Sequence, residues 1–318
     1  MSTATRVPET YQLEGDDALE TLRRTGWGRL AKDSFQRFRT ADGFSHSRAL
    51  AFQITFTLLP ATIAVVGLAT ILHAAKFRDI LRQTVTRLAP GPAGDIIVTA
   101  IKQGQRTVGG GARAALLFGA VATLISAATA MGQVERGANR IYGVEQDRPT
   151  LHKYGVGLLL ACTTGLLMVL AFVLIVAGAD IAKATKFSGV AWEVLRWPLS
   201  ILFLVIAVAL LFKAAPKRRQ PAASWLAVGS ALSVLLWFAF TGLLALYLGL
   251  STTFGQTYGP LAGMIGILAW ALLTSLAAYL GLAFAAQLEA VRAGVPGPAT
   301  GQQANSRGRA RHRRAALR

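Results

Sequence analysis

"SHSRALAFQITFTLLPATIAVVGLATILHAA", Ser45 to Ala75, contains no Asp, Glu, Lys or Arg between Arg48 and Lys76. A hydrocarbon core about 30 Å thick needs about 20 apolar residues wound as a helix, so this stretch is long enough to cross a bilayer. It is not uniformly apolar, however. Gln53, Thr55 and Thr57 lie within it and Pro60 interrupts it, so it reads either as a span with tolerated defects or as one wall of a site. Four further stretches share its character: Ala114 to Val134, Tyr154 to Ala179, Trp197 to Phe212, and Gln220 to Leu288. The last is too long for one span and is broken at "LGLSTTFGQTYGP", Leu248 to Pro260. It counts as two, and the expected fold is an all-α integral membrane protein with six transmembrane helices and short interfacial amphipathic helices.

Composition agrees, at 53% hydrophobic and 15% charged, where soluble domains carry about 25% charge. The apolar runs are continuous rather than alternating, which argues against transmembrane strands. No n-region, short h-region and cleavage site precede residue 49, so no cleaved signal peptide is expected and the first span doubles as the insertion signal. The single cysteine, Cys162, lies inside a span and excludes an internal disulfide. Four histidines (His46, His73, His152, His312) are scattered along the chain, and no carboxylate sits mid-span. Neither a metal set nor a nucleophile with a paired base emerges, so no cofactor, no catalytic residue and no enzymatic activity are expected. "GGGAR", Gly109 to Arg113, lacks the Lys-Ser/Thr of a phosphate loop.

With six spans both termini share a side, and that side holds 23 of the 33 Lys and Arg. The positive-inside bias places it in the cytoplasm, facing anionic headgroups. Three regions follow: a cytoplasmic segment over residues 1–44, a six-span domain over 45–290, and a basic, disordered tail over 291–318. The tail, "SRGRARHRRAALR" at its end, has no aromatics to stack bases and follows the last span closely. It reads as a membrane-surface element, with no specific nucleic-acid partner. From Trp27 to Phe38, Trp27, Leu30, Ala31, Ser34, Phe35 and Phe38 share a face, predicting an interfacial helix on the inner leaflet. Phe77, Ile80, Leu81, Val85 and Leu88 predict another on the outer surface, with a weaker helix over 95–105. Pro198 is expected in the first turn of the fourth span, which argues against a three-plus-three repeat with Pro60.

The most informative span is the second. Ser126, Thr129, Gln133, Arg136 and Arg140 step by three and four residues, forming one stripe from mid-membrane to the cytoplasmic edge. As structural glue, such groups bond across helices for about 0.6 kcal/mol each. As a site, they line a polar path whose arginines meet an anionic group; snorkelling to headgroups explains the arginines equally well. Gln53, Thr57 and Pro60 share one face of span one, where the proline frees the carbonyl of Phe56. In the sixth span, Pro260 suits a first turn, and Gly259, Gly263 and Gly266 clear a face for close helix approach.

The motifs "ALAFQITFTLLP", "ANRIYGVEQDRP", "FKAAPKRR" and "YGPLAGMIGILAW" occur in that order around six spans between Lys32 and Gly294. With them the chain resembles the bacterial YihY family, also called the virulence-factor BrkB family and formerly labelled ribonuclease BN. The family positions implied are Ala51, Phe52 and Pro60; Asn139, Tyr142 and Arg148; Pro216; and Tyr258, Gly259 and Trp270. The sequence departs from the family at Ala285, Ala286 and Gln287, where many members read Gly-Ala-Glu, and at Thr57, where many have Ser. The resemblance implies an inner-membrane protein associated with envelope or lipid processes. The residues lack the clustered acids or histidines that RNA hydrolysis requires. The expectation is a protein that accommodates or translocates a lipid or other amphiphile, with membrane lipids as partners and Gln53, Thr57, Ser126, Thr129, Gln133, Arg136 and Arg140 lining the site. A non-transporting scaffold is the alternative, and a homo-oligomer is left open.

Overall fold

Inside a bilayer no water satisfies backbone N–H and C=O groups, so each charge-free run must close its hydrogen bonds internally as a helix. The computed structural model, which describes residues 4–10, 12–71, 112–184, 190–251, 261–295 and 297–298, shows this. Its helices are α1 (Gly15–Thr25), α2 (Trp27–Thr40), α3 (Gly43–Ile71), α4 (Ala112–Tyr142), α5 (Thr150–Ala184), α6 (Val190–Ala214), α7 (Ala223–Leu250) and α8 (Leu261–Arg292). Six of them, α3 to α8, are long and apolar enough to span a membrane. Each packs against the next, and α8 returns to α3, so the six close a ring in chain order. The chain is a multi-pass membrane protein, with the first segment and the end of α8 at one pole. There Thr5 N–H donates to the Pro298 carbonyl.

The core is concentrated at this terminal pole. Leu30 and Phe38 of α2, Ile141 and Tyr142 of α4, Phe212 of α6, Trp225 and Leu226 of α7, and Tyr279, Leu282, Phe284 and Leu288 of α8 are buried together. Away from it, side chains such as Phe52, Phe56, Leu117, Phe118, Leu159, Leu235, Leu243 and Met264 point outward, as expected of surface that lipid tails cover.

Within the first span α3 runs continuously through Pro60, a kink or packing point by its sequence. Opposite it, a Cβ on Gly119 would come within 2.5 Å of Ala64 N and 3.0 Å of the Pro60 carbonyl, so a missing side chain on α4 lets the two helices meet at the proline. Several expectations need correction. Pro198 lies inside α6 rather than in a first turn. The sixth helix continues past Leu288 to Arg292, carrying a buried Glu289. The α2 face splits: Leu30, Ser34 and Phe38 are buried, whereas Trp27, Ala31 and Phe35 are exposed. The helix packs on α8, and Trp27 stacks on Phe284 with centroids 5.6 Å apart.

Gly263 and Gly266 are buried in α8, while Tyr258, Gly259 and Pro260 lie outside the described residues. A close glycine approach occurs lower in the same helix, where a Cβ on Gly281 would fall 2.5 Å from the Gly229 carbonyl of α7. The outer-surface helices expected over 77–88 and 95–105, most of "GGGAR" and the basic tail also fall outside the described residues.

Candidate functional site

The stripe of α4 meets the first span as a polar seam. Thr129 Oγ1 lies 3.2 Å from Gln53 Oε1 across the α3–α4 interface and donates also to the Ser126 carbonyl at 2.6 Å. Thr57 turns back on its own helix and donates to the Gln53 carbonyl at 2.8 Å. One turn further toward the terminal pole, Gln133 Nε2 is 3.2 Å from His46 Nδ1. Tyr279 of α8 donates its hydroxyl to the Gln133 carbonyl at 3.0 Å. That approach requires a glycine on α4, because a Cβ on Gly137 would stand 2.4 Å from the Tyr279 ring. Gln53 and Thr129 are therefore brought together across the interface and Gln133 meets His46, while Thr57 bonds within α3 and Ser126 contributes its backbone carbonyl.

The two arginines that end the stripe differ from the rest. Arg136 is exposed and makes no hydrogen bond or ion pair among the described residues. Arg140 is half-buried and donates to the Glu145 carbonyl at 3.3 Å. A guanidinium with its fork free can take a carboxylate or phosphate through two parallel hydrogen bonds.

Beside the seam, the loops and helix ends of the terminal pole are locked by three other arginines. Arg148 pairs with Glu135 at 3.1 Å and donates to the Ala215, Ala214 and Pro216 carbonyls at 2.7, 3.1 and 2.9 Å. Asn139 bridges the same loops, donating to Asp147 at 2.8 Å and accepting from Lys217 N–H at 2.7 Å. Burial pushes the Asp147 carboxyl up, but the Asn139 amide, Lys153 and Arg140 outweigh it and hold the group below the usual carboxylate range. Arg218 pairs with Glu289 at 2.7 Å, the two side chains being 2% and 0% exposed, and lies over the Tyr142 ring at 4.5 Å.

Arg37 of α2 is fully buried. It donates to Gln287 Oε1 at 2.8 Å and to the Thr5 and Ile141 carbonyls at 2.8 and 3.1 Å, and its Nη2 has no partner. Burial pulls its pKa down to about 10, against the opposing pull of Tyr142 and Glu289. The arginines also pin the first segment: Arg218 donates to the Pro8 carbonyl, Val7 N–H donates to the Tyr142 carbonyl, and Thr10 donates to Glu289.

Four of the motif positions, Asn139, Tyr142, Arg148 and Pro216, thus belong to this clamp. Ala51 is buried, Phe52 points outward and Trp270 is half-buried. Sequence reasoning missed His46, Tyr279, Arg37, Gln287 and Glu289. His46 was legible, because it precedes Gln53 by seven residues, two turns along the same face.

Residues 34–306 match the family model described as Virulence factor BrkB. The chain is similar to the putative ribonuclease-like protein YfkH of Bacillus subtilis (strain 168), 26% identical over 257 residues that cover 79% of this chain and 91% of that protein. No solved structure matches.

Proposed function

The chain belongs to the virulence factor BrkB family, and from that premise we propose that it accommodates an anionic amphiphile, its headgroup gripped by Arg136 and Arg140 at the end of the α3–α4 seam. The observation that carries this reading is the contrast among arginines. Arg37, Arg148 and Arg218 are each bonded to protein acceptors, whereas Arg136 is exposed and unpaired among the described residues. A basic group at a membrane edge attracts anionic headgroups, each contributing about 1 kcal/mol near the surface. Gln53, Thr129 and Gln133 continue the line of polar side chains inward from the two arginines. The charge bias supports placing the terminal pole in the cytoplasm of a bacterial inner membrane.

A scaffold that moves nothing is the second reading, favoured by the way Gln53 and Thr129, and Gln133 and His46, satisfy one another. RNA hydrolysis, which the printed name of the Bacillus subtilis protein suggests, fits less well. Glu135 and Glu289 are each neutralised by an arginine, and no group of three His, Cys, Asp or Glu among the described residues is placed to hold a metal ion.

Lipid copurifying with the protein in neutral detergent, identified by mass spectrometry, tests the reading. Enrichment of an anionic phospholipid over its share of the membrane supports it, and a bulk-membrane composition contradicts it. Orientation is checked by single cysteines in a Cys162→Ala background. One at Thr253 labels from outside the cell and one at Gln146 does not; the reverse pattern would move the seam to the other leaflet.

A further inference from the structure

His46 is a titratable side chain of the seam that the headgroup reading leaves unused. It stands in the first turn of α3, half-buried. Its Nδ1 lies 3.2 Å from Gln133 Nε2 and its ring meets the edge of Tyr279 with centroids 6.4 Å apart. The charged groups that face it are Asp42 before α3, Arg140 and Arg136 on α4, and Asp147 in the α4–α5 connection. Asp147 is engaged by Asn139 and Lys153, Asp42 is exposed, and the Tyr279 hydroxyl is committed to the Gln133 carbonyl. His46 therefore shares its surroundings with the two arginines assigned to the headgroup.

The contact with Gln133 depends on protonation. An amide N–H donating to Nδ1 requires a neutral ring with its proton on Nε2, whereas an imidazolium donates from both nitrogens. Once protonated, His46 must have Gln133 present its oxygen instead, a rotation of the amide that needs no movement of either helix. A phosphate placed against Arg136 and Arg140 adds a negative charge near the ring, and that charge favours the imidazolium.

We propose that an anionic phosphodiester headgroup binding at Arg136 and Arg140 is coupled to uptake of one proton by His46. This rests on the headgroup reading of the two arginines. Bound headgroup raises the affinity of His46 for a proton, and by linkage the proton raises the affinity for headgroup by the same factor. Binding is strongest below the pKa of the free form and weakens as pH rises through that of the bound form. Histidine is the side chain whose charge change ordinarily falls between about pH 5 and 8. Each unit by which the headgroup raises the pKa is worth about tenfold in affinity.

The test uses full-length protein reconstituted in phosphatidylcholine vesicles with trace spin-labelled phosphatidylglycerol, whose single charge does not titrate in this range. Spin-labelled phosphatidylcholine serves as the control. The motionally restricted fraction of the electron paramagnetic resonance spectrum reports association at pH 8 and pH 5.5. Phosphatidylglycerol association should rise about three- to tenfold on acidification, corresponding to a pKa rise of half a unit to one unit. His46→Gln should hold the same value at both pH values, and His46→Arg should bind at pH 8 as the parent does at pH 5.5.

Preferential phosphatidylglycerol association that ignores pH, or that changes equally in His46→Gln, would overturn the proton coupling and leave the headgroup reading standing. Phosphatidylglycerol held no better than phosphatidylcholine at either pH would sink both.

Discussion

The α3–α4 seam and the arginine clamp lie side by side at the same pole, are built from the same residue types, and use them in opposite ways. In the clamp, Arg37, Arg148 and Arg218 are buried or half-buried and bond to carboxylates, an amide and loop carbonyls. In the seam, Arg136 faces outward and Arg140 donates to the Glu145 carbonyl. An arginine withdrawn from water and ringed by acceptors fixes structure, because leaving either partner alone strands a buried charge. An arginine whose fork is free at a membrane edge retains its capacity for an external anion. The presence of arginine therefore says little about role here; the acceptors around it decide.

The clamp should give the largest effects on stability. Removing half of the Arg218–Glu289 pair, as in Arg218→Ala, should cost about 3–5 kcal/mol, as for other buried pairs broken from one side. Thermal unfolding in detergent should fall steeply, and a loss within experimental scatter would show that the pair does not hold the pole together. Next, Gly137→Ala drives a methyl into the Tyr279 ring and should cost about 1–3 kcal/mol through overpacking. Tyr279→Leu should relieve the clash in the double variant. In the opposite direction, Gln287→Glu supplies the carboxylate that the buried Arg37 lacks, and should raise stability by about 1 kcal/mol; a lowered melting temperature would show that Arg37 is already fully compensated. The smallest effect belongs to the seam, where Gln53→Leu removes the bond to Thr129 and should cost about 0.6 kcal/mol.

The two regions also differ in how far the sequence exposed them. Six spans were legible because lipid demands long, uninterrupted apolar helices, and the runs in this chain supply them. Most of the seam was legible because Thr129, Gln133, Arg136 and Arg140 belong to one helix, where spacing fixes their common face. At Pro60 the sequence left a kink and a packing role open, and the absent side chain of Gly119 lets α4 close against a continuous α3 there.

The clamp was hidden for a different reason. Arg148 finds much of its satisfaction in the Ala214, Ala215 and Pro216 carbonyls, which no side-chain pattern reveals. Arg218 and Glu289 meet only because the ends of α6 and α8 reach the same pole. Asn139, Tyr142, Arg148 and Pro216 stood out as motif residues, but their shared architectural role depends on a tertiary meeting of loops. Arg37 sat within a predicted amphipathic helix whose buried side faces α8 rather than the bilayer.

The central claim is that the seam's arginines serve a ligand while the clamp's arginines serve the fold. It is tested most directly by measuring, on the same preparations, the melting temperature and the anionic phospholipid retained per protein for the parent and for the Arg136→Lys, Arg140→Lys double variant. Lysine keeps the charge and loses the bidentate fork. The account predicts an unchanged melting temperature with a clear loss of anionic lipid. Unchanged lipid in a well-folded double variant would contradict it and leave the chain as a scaffold whose polar seam only joins helices.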